Sequence, residues 1–180
     1  MNNGIFSDIE KNTGHHTSKV LAEALINVID SKVPVYDFGC GNGFYTDFIN
    51  NKRIKCIGFD GNPTKENNTI KKYDITTPLL LQDNGTILCL EVAEHIPAEK
   101  RKIFIENIVN NCKNRIILSW ALPGQGGMGH VSEMDNVDVM QLFAKYKFNI
   151  NYVETQYLRR SVSSCNCWWF RTTLMVFDKK

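Results

Sequence analysis

The chain has 180 residues and a mass of 20.6 kDa, with 43% hydrophobic, 11% aromatic and 22% charged residues. That is the size and balance of one ordinary globular domain, which excludes a separate substrate domain and a disordered or fibrous chain. A net charge of +2 and a pI of about 8.2 fall short of the basic footprint of a dedicated nucleic-acid binder.

Residues 1–17 are polar and show no apolar period. Carrying Gly4, Gly14 and the pair His15-His16, they read as a mobile lead-in or as a lid. They lack the basic stretch, apolar run and cleavage site of a secretory signal, which predicts a cytoplasmic protein. No apolar run reaches the roughly 20 residues that cross a bilayer, so no membrane span is expected. From Ser18, a good N-cap, the spacing of Val20, Leu21, Ala24, Leu25, Val28 and Ile29 predicts an amphipathic helix.

Short apolar runs then alternate with helical stretches. Strands are expected over 34–38, 54–60, 70–75, 85–92 and 115–122. Helices are expected over 44–51, from Pro97 through Phe104, Ile105, Ile108, Val109 and Cys112, and around Val139, Leu142, Phe143 and Tyr146. This alternation predicts an α/β fold whose parallel sheet is covered by helices on both faces. The β-prone runs 148–160 and 168–178 flank Ser-Val-Ser-Ser-Cys-Asn-Cys, which predicts a closing antiparallel hairpin with no room for a crossover helix.

The six cysteines, Cys40, Cys56, Cys89, Cys112, Cys165 and Cys167, show neither paired knuckles nor a compact disulfide framework. They are expected to be reduced thiols packed as small hydrophobes. Cys165-Asn-Cys167 is the one close pair, and no second ligand cluster stands beside it, so no metal site is expected.

The strongest local signal is Val35-Tyr36-Asp37-Phe38-Gly39-Cys40-Gly41-Asn42-Gly43-Phe44, a strand running through a glycine-rich turn into a helix. Glycines there let backbone approach a ligand at a helix N-terminus. A dinucleotide fingerprint would need its third glycine where Phe44 stands, which argues against a nicotinamide oxidoreductase. Twenty-one residues after Gly39 the next strand ends at Asp60-Gly61, and an acid at that strand end can accept both hydrogen bonds of a ribose diol.

With Asp37 before it, G-x-G-x-G resembles the first motif of class I S-adenosylmethionine-dependent methyltransferases. Tyr73-Asp74-Ile75 resembles that family's adenine contact, and Glu91-Val92-Ala93-Glu94-His95-Ile96-Pro97 resembles the E-V-x-E-H-I/V-P segment of its type 11 and type 12 small-molecule enzymes. The resemblance covers roughly residues 33–122. It implies a Rossmann-like, seven-stranded, mostly parallel sheet in one domain spanning 1–180, with S-adenosylmethionine as cofactor and S-adenosylhomocysteine as product. It assigns Asp37, Gly39, Cys40, Gly41 and Gly43 to the methionine portion, Asp60 and Gly61 to the ribose, Asp74 and Ile75 to the adenine, and Glu91 to the reactive end. His95 is carried over as a packing or loop-ordering residue on the substrate side.

The acceptor is expected at the loops after strands four and five, the carboxyl edge of such a sheet. Four glycines at 124, 126, 127 and 129 make a pliable loop, in which Trp120, Gln125 and His130 have side chains to offer an acceptor. His130 is the preferred general base, because an imidazole titrating near about pH 6.5 can take a proton at neutral pH. It could equally order the loop or cap the next helix.

A metal-dependent catechol-type site would need clustered acids after strand five, where only Glu133 and Asp135 stand. Arg159, Arg160, Arg171, Trp168 and Trp169 could form a basic, aromatic surface on the hairpin, or the tryptophans could cover the core or a dimer edge. The expected activity is methyl transfer to an oxygen or nitrogen of a small molecule by a monomer or homodimer, with nucleic acid a poor partner. The alternative is a non-catalytic cofactor-binding or partner-activating module of the same fold.

Overall fold

The computed structural model describes Ile5, Ser7, residues 15–163 and residues 166–180. In chain order the elements are α1 (Lys19–Val28), β1 (Val35–Phe38), α2 (Phe44–Asn51), β2 (Cys56–Asp60), β3 (Ile70–Lys72), β4 (Gly85–Cys89), a 3-10 turn (Ala93–His95), α3 (Arg101–Asn111), β5 (Cys112–Ser119), α4 (Asn136–Ala144), β6 (Phe148–Ile150), α5 (Tyr152–Ser161), α6 (Phe170–Thr173) and β7 (Leu174–Lys179). The strands form one sheet in the order β3-β2-β1-β4-β5-β7-β6. The first five are parallel, and β7 lies antiparallel between β5 and β6.

Strands in a parallel sheet bury both faces, and the side-chain alternation divides the core in two. Tyr36, Phe38, Ile87, Cys89, Ile116 and Leu118 point to one side, where α3 and α4 cover them with Phe104, Ile108, Val139 and Phe143. Val35, Leu88, Ile117 and Val176 point to the other, covered by Leu21, Leu25, Ile49, Leu158 and Phe170 from α1, α2, α5 and α6. Helix α1 begins where its cap residue predicts, the Ser18 hydroxyl accepting from the Leu21 amide at 3.2 Å. The described cysteines Cys40, Cys56, Cys89, Cys112 and Cys167 are all buried. No described helix is long and apolar enough to cross a membrane.

The C-terminal antiparallel pair is present, but it is not a hairpin. Only Phe148–Ile150 of the run 148–160 is strand; Tyr152–Ser161 is helix, and α6 precedes β7. The Asn151 side chain caps α5 by accepting from the Glu154 amide at 3.0 Å, and Thr155 and Leu158 supply its buried face. Tertiary burial of that face outweighs the β propensity of Tyr152, Val153, Thr155 and Tyr157. Ser164 and Cys165 of the expected hairpin turn, and residues 1–4, 6 and 8–14 of the expected lead-in or lid, lie outside the described residues.

Connections from β1 run outward through β2 to β3, while those from β4 run the other way to β5. Adjacent loops therefore part at the carboxyl ends of β1 and β4, leaving a crevice. Its outer wall depends on an irregular stretch after β3. Buried Asn107 of α3 donates to the carbonyls of Ile75 and Thr77 at 2.8 and 2.7 Å and accepts from the Leu79 amide at 2.8 Å. Asn111 does the same for Leu79 and Leu81 one turn later. These two amides stand in for the hydrogen bonds a helix would have made. Asn107→Leu, which leaves three main-chain groups unpaired, is expected to lower stability by about 2 to 3 kcal/mol in urea unfolding.

Candidate active site

The turn after β1 is built to turn sharply. Gly39, Gly41 and Gly43 have φ of 79°, 53° and 77°, left-handed values that cost little only for glycine. The amides of Gly39 and Cys40 both donate to the Phe59 carbonyl, at 2.7 and 3.1 Å, fixing the turn against the end of β2. There Asp60 accepts from Gly41 N–H at 2.9 Å and Asn62 N–H at 2.8 Å, one on each oxygen. Its carboxylate is held rigidly, with a lone pair remaining on each oxygen. Asp74 is held through one oxygen, its Oδ1 accepting from both the Thr76 amide and the Thr76 hydroxyl, at 2.8 and 2.7 Å.

Glu91, just past β4, is one of the few non-glycine residues in the left-handed region, at φ 58°. The Ser119 hydroxyl holds it there, accepting from Glu91 N–H at 2.7 Å and donating to Glu91 Oε1 at 2.8 Å. A non-glycine residue kept in this conformation by a side chain from the next strand marks a position where orientation matters.

These elements enclose a cavity of about 310 Å³. Asp37, Gly39, Cys40, Asp60, Gly61, Asp74, Ile75, Glu91, His95, Gln125 and His130 line it, and no described Lys or Arg does. Gly41 and Gly43 stand behind the wall, one donating to Asp60 and the other opening α2. Trp120 is not on the cavity: it is fully buried, donates its indole N–H to the Ser132 carbonyl at 2.6 Å and lies under the Arg101 guanidinium. The expectation of a substrate-side Trp120 is thus corrected, because β5 faces alternate and 120 falls on the core side.

The glycine-rich loop is braced rather than slack. Glu133 accepts from the amides of Gly124 and Gly126 at 2.8 and 3.0 Å and pairs with His130 Nδ1 at 3.0 Å. His130, followed by these two amides, holds its carboxyl below the usual range. The Gln125 side chain turns inward to accept from the Leu122 amide at 3.2 Å.

Burial governs the acids of the wall. Asp37 is only 3% exposed, and its carboxyl is pushed up to about 7 by desolvation, with the Thr46 hydroxyl at 2.7 Å opposing and the Asp60 charge adding. Desolvation also lifts Glu91 to about 7, while the Ser119 hydroxyl pulls the other way.

The cavity also takes Tyr45 and Ile5, which the sequence pattern does not single out, together with Trp169 and the pair His15-His16, which it offers as a hairpin surface or core cover and as a lid. Tyr45 and Trp169 line it, with Trp169 on the cavity rather than on a hairpin surface. Ile5, His15 and His16, from the segment before α1, close it on one side. Adjacent aromatics at 168 and 169 and the doubled histidine were the visible signals, but nothing in their spacing gave the direction they face.

No protein-family profile and no curated protein matches the sequence. Solved structures do match in three dimensions. Magnesium protoporphyrin IX methyltransferase from Synechocystis PCC 6803, solved with bound S-adenosylmethionine, superposes with a TM-score of 0.62 at 14% identity, over 96% of this chain and 89% of that one. The sugar N-methyltransferase KedS8 from Streptoalloteichus gives 0.67 at 11% identity, over 98% and 94%. YcgJ from Bacillus subtilis gives 0.62 at 12%, over 89% and 98%. The chain therefore has the fold of class I S-adenosylmethionine-dependent methyltransferases.

The raised Asp37 carboxyl carries a pH dependence with a definite sign. Its folded value of about 7 exceeds the ordinary 3.8, so its contribution to stability is fully present below about pH 4 and is lost as pH rises through 7. Between pH 5 and 8 the unliganded protein is expected to lose roughly 2 to 3 kcal/mol on this group. Asp37→Asn, which still accepts from Thr46, should reduce the measured slope by that amount when urea unfolding is compared at the two pH values, leaving the share that the raised Glu91 carboxyl contributes.

Proposed function

We propose that the chain is an S-adenosylmethionine-dependent methyltransferase that delivers a methyl group to an oxygen or nitrogen of a small-molecule acceptor. The observation that carries this reading is the gathering of Asp37, Asp60, Asp74 and Glu91 on one cavity at the sheet's switch point. Four acids with no described lysine or arginine on the same cavity repel a diphosphate and favour a cationic nucleoside. The fold, shared with proteins whose structures hold that cofactor, supports the same ligand.

The residues fit it in detail. Asp60, each oxygen already holding one amide, keeps a lone pair on each for the two ribose hydroxyls, with Gly61 beside it. Asp74 and Ile75 stand at the adenine end, and the turn of Gly39, Cys40, Gly41 and Gly43 holds the methionine portion near Asp37. Glu91 borders the reactive end. Bound there, the cofactor supplies an electrophilic methyl carbon on a positively charged sulfur.

The chain's remaining task is to align the acceptor and manage its proton. His95, Gln125 and His130 are the wall residues on that side. With Nδ1–H donated to Glu133, His130 presents a basic Nε2, the arrangement of a general base oriented by a carboxylate. A volume of about 310 Å³ is at the small end for ligand sites, which favours a compact acceptor or the tip of a larger one.

Calorimetry with S-adenosylhomocysteine is expected to show binding, and Asp60→Asn to weaken it by roughly 10- to 100-fold, the loss of charge-assisted hydrogen bonds to the ribose. His130→Ala should leave that affinity unchanged while lowering turnover by roughly 100-fold or more on an acceptor found by panel screening. Binding of NADH in place of S-adenosylhomocysteine would overturn the reading. Cofactor binding with no transfer to any acceptor would select the non-catalytic module.

A further inference from the structure

Glu94 is the anomaly of the site. It is completely buried, and neither carboxylate oxygen has a hydrogen-bond partner among the described residues. An isolated buried carboxylate costs several kcal/mol unless it is neutralised or paired. Its surroundings are not those of a residue meant to stay unpaired. One ligand atom from each of Glu94, His95 and His130 lies within 4.8 Å of the others.

The two imidazoles are also set up in the same way. His95 Nδ1 is hydrogen-bonded to the Gly129 carbonyl at 3.1 Å, and His130 Nδ1 to Glu133 Oε1 at 3.0 Å. Pairing Nδ1 with a carbonyl or a carboxylate fixes the tautomer whose Nε2 binds a cation, and it is the usual support behind a metal-bound histidine. The rings meet edge to face with centroids 5.1 Å apart. Gly127, at φ 153°, keeps the neighbouring space open, since a Cβ there would overlap His130 Nε2.

We infer that Glu94, His95 and His130 form a binding site for a divalent first-row transition metal ion, with one face open to the cavity. Two imidazole nitrogens and one carboxylate suit Mn²⁺, Fe²⁺, Co²⁺ or Zn²⁺ better than the all-oxygen preference of Mg²⁺ or Ca²⁺. Donors about 2.1 Å from a tetrahedral ion stand about 3.4 Å apart, so the set closes by no more than about 1.4 Å, within reach of side-chain rotation. His95 and His130 line the cavity, which gives the ion access and leaves a coordination position for an acceptor. On the methyltransferase reading, on which this clause alone rests, that position selects an oxygen acceptor, because a metal lowers the pKa of a bound hydroxyl. His130 then serves as a ligand in the loaded protein and as a base only without the ion.

The test uses Co²⁺ added to chelator-treated protein. One equivalent should bind with a visible ligand-field spectrum and raise the melting temperature. Glu94→Gln and His130→Ala should each weaken Co²⁺ binding at least about tenfold, and Glu133→Gln, behind His130, by about tenfold as well. In Glu94→Gln the Co²⁺-induced rise should disappear while the metal-free protein melts close to wild type; a purely structural Glu94 would lower the metal-free melting temperature and keep the Co²⁺-induced rise. Asp60→Asn should bind Co²⁺ as wild type does. Undiminished Co²⁺ binding in Glu94→Gln and His130→Ala, or no saturable binding at all, overturns the site. Co²⁺ binding with no affinity for S-adenosylhomocysteine keeps the site and overturns the methyltransferase reading instead.

Discussion

A carboxylate taken out of water needs a cation, a proton or several hydrogen-bond donors, and this sheet puts acids at its carboxyl edge with few of these. Asp37 has one hydroxyl, Glu91 shares one serine, and Glu94 has neither. The parallel fold creates the problem and its use together. Loops diverge at the β1–β4 switch point, so side chains at those strand ends fall inside the molecule but face a void. Any occupant carrying positive charge gains from every acid at once, and the unliganded protein keeps that gain in reserve by protonating Asp37 and Glu91 near neutrality.

Around this charge the rest of the chain supplies stiffness. Glu133 gathers the glycine-rich loop by its own amides, so a segment with four glycines in six positions arrives at the cavity in one shape. Asn107 and Asn111 do the equivalent for the stretch around Ile75 and Leu79. In both places a polar side chain substitutes for missing secondary structure, and the wall it fixes belongs to the ligand site rather than to the core.

Much of this was legible wherever local chemistry and global fold ask for the same residue. Helix 44–51 has the bounds its pattern predicts, because Gly43 must precede it in a left-handed conformation and Phe44 must begin its apolar face. The same agreement holds for the ends of β1 and β2, where Asp37 and Asp60 come to one cavity. At 152–161 local and global demands diverge. Tyr152, Val153, Thr155 and Tyr157 alternate like a strand, and only the Asn151 cap and the spacing of Thr155, Leu158 and Val162 encode the helix that forms. Trp120 failed for a related reason, since one residue of register decides between cavity and core. The grouping of Glu94 and His95 with His130 was out of reach of pattern reading altogether: thirty-five residues separate the two histidines, and only the packing of the loop after β5 against the 3-10 turn after β4 brings them together.

The residues ahead of α1 show how the acidic wall is covered without being neutralised. Ile5 packs where a Cβ on Gly61 would stand, the His15 ring where one on Gly41 would, and His16 meets Trp169 edge to face with centroids 5.4 Å apart. A lysine or arginine at position 15 would pair with Asp60 and compete with a cationic ligand for the same carboxylate. Burial instead holds the His15 imidazole below its usual range, overriding the pull of Asp60, so near neutral pH it covers the turn as an uncharged ring. Asp60, held by two backbone amides, is thereby covered by a neutral ring rather than paired with a described cation, so its carboxylate stays available to an occupant of the cavity.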